Sequence, residues 1–149
     1  MKIENDIVTD VTPDYNNYEW TDERAHGTRV AGVIAQMAPN ASIMCLGIDN
    51  PANIHQAINY LYDHWTDFEP DIISISITAE PDSDTENKLK RFCDRGTFIA
   101  LAVGNIVFDF IGNVVGTDTV KWPASSLAAR YGIMGVGAII DDGDAHPVY

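Results

Sequence analysis

From residue 28 to residue 140 the chain alternates amphipathic helical stretches with short, apolar, β-prone runs, and no other feature restricts its fold as strongly. Helical patterns fall at residues 28–37, 52–65 and 84–95. In the second, Ile54, Ala57, Ile58, Leu61, Tyr62 and Trp65 recur at three- and four-residue steps, which marks one buried stripe. In the third, Leu89, Phe92 and Cys93 point inward and Gly96 stands where a helix would stop. Pro39 ends the first. Between them, residues 42–48, 71–77, 97–103 and 133–140 read as strands, because brief apolar runs bounded by turn residues suit that state. A hairpin is expected at 106–115 around Gly112-Asn113, a pair that tolerates positive φ. The first 24 residues are polar apart from one β-prone run at 7–12. Alternation of this kind predicts an α/β fold of three layers, a mainly parallel sheet with helices on both faces. At 149 residues the chain suits a single domain, 1–149, with one core.

Charge narrows the partners. Asp and Glu number 22 against 9 Lys and Arg, a net charge of −13. Such a surface repels phosphate backbones, so nucleic acid is not an expected partner. Cys45 and Cys93 make neither a zinc framework nor a CxxC redox pair, and both are expected as buried free thiols. No apolar run is long enough to cross a bilayer, and the first ten residues lack a secretory pattern. A gene product starting at Met1 would therefore be cytoplasmic, whereas a leader removed ahead of an added Met1 would leave no trace here.

The most specific string is His26-Gly27-Thr28-Arg29-Val30-Ala31-Gly32. Downstream come Asp71-Ile72-Ile73-Ser74-Ile75-Ser76-Ile77, then Ala102-Val103-Gly104-Asn105, then Trp122-Pro123-Ala124 and Val136-Gly137-Ala138. In this order the strings resemble the subtilisin-like serine proteases, the subtilases: HGT-x-VAG, D-V-I-N-M-S-L-G, A-A-G-N, P-A-x and V-G-A. The resemblance covers about residues 26–140 and implies the N-terminal and central part of the family fold. It implies His26 as the catalytic histidine at a helix entrance, one ring nitrogen facing a nucleophile and the other held by a carboxylate. Asn105 matches the side-chain donor to the oxyanion. Ser76 and Gly104 match substrate-binding positions, Ser76 as a wall of the pocket for the residue before the scissile bond. Thr78 stands where the family has glycine.

Two family features are not matched. No D-[ST]-G setting precedes the histidine, and Asp10, after the run Ile7-Val8-Thr9, is the stand-in for the orienting aspartate. The competing alignment reads this stretch as the loop after that strand and puts the aspartate upstream of residue 1. No G-[TS]-S triplet occurs, so the nucleophilic serine has no counterpart among the 149 residues. Ser125 and Ser126 read as ordinary loop serines. The acidic group Asp141, Asp142, Asp144 resembles a loose calcium loop, yet it lacks the ligand spacing of an EF-hand, and a solvated turn is the favoured reading. No metal or cofactor is otherwise expected.

The expected function is a serine endopeptidase domain acting on peptides or proteins by a Ser-His-Asp triad, inactive as this chain alone. The alternative is a pseudoprotease used as a peptide-binding or regulatory module. An intact histidine and asparagine favour the first; Thr78 and the unmatched serine favour the second. A second polypeptide, or a further copy of the chain, is expected to cover apolar surface that the family's serine-bearing helix would shield.

Overall fold

A computed structural model describes residues 2–4, 7–9, 26–48, 50–104, 120–140 and 146–148. It divides into two compact units, Met1–Asp49 and Asn50–Tyr149.

The first unit contains strands β1 (Lys2–Glu4) and β2 (Ile7–Thr9), paired antiparallel with Lys2 opposite Thr9, and helix α1 (His26–Met37). Helix α1 begins at His26 itself, two residues before the start read from periodicity. None of its side chains is buried, and Met37 is 81% exposed. Residues 42–48 are not a strand. A run of this length becomes a strand by completing a ladder, and among the described residues it has no ladder partner. Cys45 lies within it, free and exposed, contrary to the burial expected from its apolar neighbours.

The second unit opens with a 3-10 turn at Pro51–Asn53, where the Asn50 side chain accepts from the Ala52 amide at 2.9 Å. Helix α2 (Ile54–Asp63) follows and buries Ile54, Ala57, Ile58 and Leu61 on the expected stripe. It breaks at His64, whose Nδ1 lies 2.9 Å from the Tyr60 carbonyl oxygen, and a short α3 (Trp65–Phe68) continues beyond. The 52–65 pattern is thus two helices and a turn. Helix α4 (Ser83–Asp94) is capped by Asp82, whose carboxylate accepts from the Thr85 amide at 2.9 Å. At its other end Gly96 (φ +100°) donates to Cys93 O and Thr97 donates to Phe92 O, the paired bonds of a glycine-closed helix end.

Strands β3 (Ile72–Ile75), β4 (Phe98–Ala102) and β5 (Ile133–Val136) form a parallel sheet in that order. Residues 138–140 continue separately as β6 (Ala138–Ile140), antiparallel to β7 (His146–Val148), so the run read as one strand divides at Gly137. Register aligns Ile73, Ile99 and Ile133 on one face, with Ile75 and Leu101 in the next row, and all five are buried. Gly135 lies beside Leu101 on this face, and a Cβ there would come within 3.1 Å of Ala128 Cβ, just past α5 (Ala124–Leu127). Phe92 and Leu89 of α4 are fully buried, and Phe92 meets Tyr62 edge-on with ring centroids 5.8 Å apart. On the opposite face Ile72, Phe98, Met134 and Val136 are exposed, at 65%, 38%, 52% and 47%. No described helix is long and apolar enough to cross a membrane.

Candidate functional site

In the first unit the residue expected to do proton chemistry is His26. It is the first residue of α1 and is exposed, so the helix holds the imidazole at its amino-terminal entrance. A Cβ built at Gly32 would meet no atom within 4 Å, so no described neighbour requires glycine there. Asp10 follows directly on β2 but lies outside the described residues, as does Asn105.

In the second unit the expected substrate-binding residues stand at the carboxyl ends of adjacent parallel strands. Ile75 pairs with Leu101, so Ser76 leaves β3 level with the last residue of β4, Ala102, and Gly104 follows two residues on. Open α/β sheets place their sites at this end. A third segment joins the two. The Lys121 amide donates to Val103 O at 2.9 Å, and the Ala79 amide donates to Trp122 O at 3.2 Å. Lys121 and Trp122 therefore bond both to the chain leaving β4 and to the chain leaving β3. The Trp122-Pro123 peptide is cis.

Gly104 has φ +106°, a backbone state that L side chains rarely adopt. A Cβ at that position would lie 2.9 Å from Lys121 Cγ, 3.4 Å from Lys121 Cβ and 3.9 Å from Thr78 Cγ2. Glycine here answers both a conformational and a steric demand. The same distances place the Lys121 stem and the Thr78 methyl around Gly104. Motif matching singled out Thr78; Lys121 had no signal beyond its place before Trp-Pro-Ala.

The neighbouring polar groups are structural. Glu86 of α4 accepts from the Trp122 indole at 2.8 Å and from the Ser126 hydroxyl at 2.6 Å, tying the Trp122–Ser126 segment to the helix. The Ser126 hydrogen bond foremost, with help from Trp122 and Lys90, holds the Glu86 carboxyl below its usual range despite partial burial. The Ser126 hydroxyl is thus tied to Glu86, and Ser125 and Ser126 lie in helix α5, not in a loop as expected. Asp82 is likewise held low, first by the Thr85 hydroxyl and then by the Thr85 amide. Asp84 pairs with Lys88 at 2.6 Å. These acids border a 370 Å³ cavity between His55 and Asn59 of α2 and Glu80–Asp82. A second cavity of 500 Å³, lined by Trp65, Asp71, Arg95 and Thr97, lies at the amino-terminal end of β3 and β4. Cys93 is free and half-buried, and burial pushes its thiol pKa up. Among the described residues no three His, Cys, Asp or Glu side chains come together as a metal site; Asp141, Asp142 and Asp144 lie outside them.

Comparison with known proteins adds the following. The model of the subtilase family matches residues 2–148. Among solved structures the chain is similar to "Sphericase", with 20% identity over 74% of this chain and 36% of that one, at a TM-score of 0.50. It is also similar to "S41 Psychrophilic Protease", with 21% identity over 74% of this chain and 36% of that one, at a TM-score of 0.49. The chain thus spans about a third of the length of these solved structures, and the first likeness shows a shared fold. No curated protein matches.

Proposed function

This chain belongs to the subtilase family, and on that basis we propose that it is the histidine- and oxyanion-bearing part of a serine endopeptidase domain. His26 accepts the proton of a serine hydroxyl as that oxygen attacks the scissile carbonyl, then returns it to the leaving amine. Asp10, or a carboxylate upstream of residue 1, holds the second ring nitrogen. The Asn105 side chain donates to the oxyanion, and Ser76 and Gly104 border the substrate. The observation that carries this reading is the placement of the motif residues within their own elements. His26 opens a helix, and Ser76 and Gly104 leave the carboxyl ends of neighbouring parallel strands.

The nucleophile is supplied from outside these 149 residues, so the chain alone is catalytically silent. Losing the serine removes a factor of about 10⁶ in turnover in this family, leaving what the oxyanion hole and binding provide. A fluorophosphonate probe tests this directly. The isolated chain should remain unlabelled, and joining it to a segment bearing the serine should give stoichiometric labelling. Labelling of the isolated chain that disappears in Ser125→Ala or Ser126→Ala would overturn the assignment.

Thr78 and Lys121 beside Gly104 favour one other reading, a pseudoprotease that holds a peptide without cutting it. That reading requires peptide binding with no labelling even when the serine segment is joined.

A further inference from the structure

We propose that Arg95, Glu69 and Asp71 form a binding site for a short zwitterionic peptide, one with a free ammonium and a free carboxylate. The site stands at the amino-terminal end of β3 and β4, the end of the sheet away from Ser76 and Gly104, and does not depend on the peptidase reading. Arg95 closes α4, and its guanidinium carbon lies over two rings, 4.8 Å from the Trp65 centroid and 5.2 Å from that of Tyr62. Both rings rest on the fully buried Phe92, at centroid distances of 5.1 and 5.8 Å. Arg91 steadies Tyr62 further by donating to its hydroxyl at 2.8 Å. Ring faces hold a guanidinium in place without offering it an oxygen acceptor. Among the described residues no carboxylate pairs with Arg95, whereas Lys88, Lys90 and Arg130 pair with Asp84, Glu86 and Asp94.

Arg95 lines the 500 Å³ cavity together with Trp65, Glu69, Asp71 and Thr97. Hydrogen bonds fix its rim: the Thr97 hydroxyl donates to Pro70 O at 2.9 Å, the Phe98 amide to Asp71 O at 2.9 Å, and the Glu69 amide to Trp65 O at 2.8 Å. The cavity therefore brings one guanidinium without an ion pair together with two exposed carboxylates. A simple anion answers only the guanidinium, and both the carboxylates and a chain of net charge −13 repel it. A simple cation is repelled in turn by Arg95. A ligand with a carboxylate at one end and an ammonium at the other gives each group an opposite charge. Being neutral overall, it is not opposed by the field of the chain. The free ends of a short peptide carry this pair of charges.

The test titrates the ¹⁵N-labelled chain with Ala-Ala, its carboxyl-terminal amide and its N-acetyl form, following the Glu69, Gly96 and Thr97 amide shifts. Acetate and inorganic phosphate serve as ion controls. Ala-Ala should bind tighter than either blocked form by on the order of fivefold, as a charge-assisted contact at an exposed site gives. Arg95→Met should make Ala-Ala and its amide bind alike. Glu69→Gln combined with Asp71→Asn should make Ala-Ala and its N-acetyl form bind alike. These variants exchange exposed side chains and leave the backbone bonds of the rim in place, so the fold is retained; the unchanged remainder of the spectrum verifies it. A preference for Ala-Ala over its amide that survives Arg95→Met would overturn the inference. So would acetate or phosphate shifting these amides as strongly as Ala-Ala, or no shift at Gly96 and Thr97 with Ala-Ala. Each of these outcomes leaves the peptidase reading standing.

Discussion

Helices α1 and α4 are both 12 residues long and both amphipathic, yet they differ in what holds them. Helix α4 buries Thr85, Leu89 and Phe92 completely, carries an Asp82 cap at one end and closes on Gly96 at the other. Helix α1 has no buried residue, and Val33 and Met37 are 59% and 81% exposed. An amphipathic stripe states that a helix will form and which side wants a partner. It does not state that the partner is present. Helix α4 follows β3 and precedes β4 in the chain, so its partners are supplied by neighbouring sequence, the usual economy of a βαβ unit. The helix that opens with His26 has no buried residue of its own, although its motif is the most specific in the chain.

Substitutions can break or sharpen this contrast. The largest effect is expected at Phe92→Ala, a loss of about 3–5 kcal/mol in urea denaturation, because a fully buried ring leaves a cavity. Val33→Ala and Met37→Ala on α1 should stay within about 0.5 kcal/mol, as exposed positions do. A loss at Met37 matching that at Phe92 would remove the distinction. Next comes Gly104→Ala, which forces a side chain into φ +106° and against the Lys121 stem. It should cost on the order of 1–3 kcal/mol by the same assay. Gly32→Ala should be neutral or slightly stabilising, since alanine is the better helix former by about 1 kcal/mol and no atom of another described segment stands within 4 Å. Asp82→Ala should cost about 1 kcal/mol, the usual worth of a helix cap.

The smallest effect is one of pH. Asp82 and Glu86 have folded pKa values below their ordinary ones. Each therefore binds protons less readily when folded, and its contribution is fully present above the unfolded value, about 4 for a carboxyl. That contribution is lost as pH falls below about 4 through the lowered folded values. Melting temperature should be flat from neutral pH down to about 5 on account of these two groups and decline below it. The decline should be shallower in Glu86→Gln; an identical acid profile in that variant would show that the Trp122–Glu86–Ser126 contacts do not contribute.

Much of the second unit was legible because its signals are local. The 84–95 period and Gly96 mark α4, and the isoleucine run at 71–77 contains β3. Elements that depend on distant partners were not legible. The apolar run at 42–48 needed a neighbouring strand to become one. Helix α5 is only four residues long, too short to show a helical period. The break at His64 turns on a ring nitrogen meeting the Tyr60 carbonyl, which no periodicity encodes. The site divides in the same way. His26, Ser76 and Gly104 could be singled out because each sits inside a recognisable string. Lys121 gave no such signal, because its stem comes beside Gly104 only after the strands have paired.

The central claim is that His26 is the proton carrier of a serine peptidase, and one measurement tests it most directly. Turnover of a peptide substrate should be compared between the chain joined to a serine-bearing segment and its His26→Ala variant. The account predicts a loss of about 10⁶-fold in kcat, the magnitude this family shows when its histidine is removed, with KM little changed. A His26→Ala enzyme that retained its turnover would contradict it.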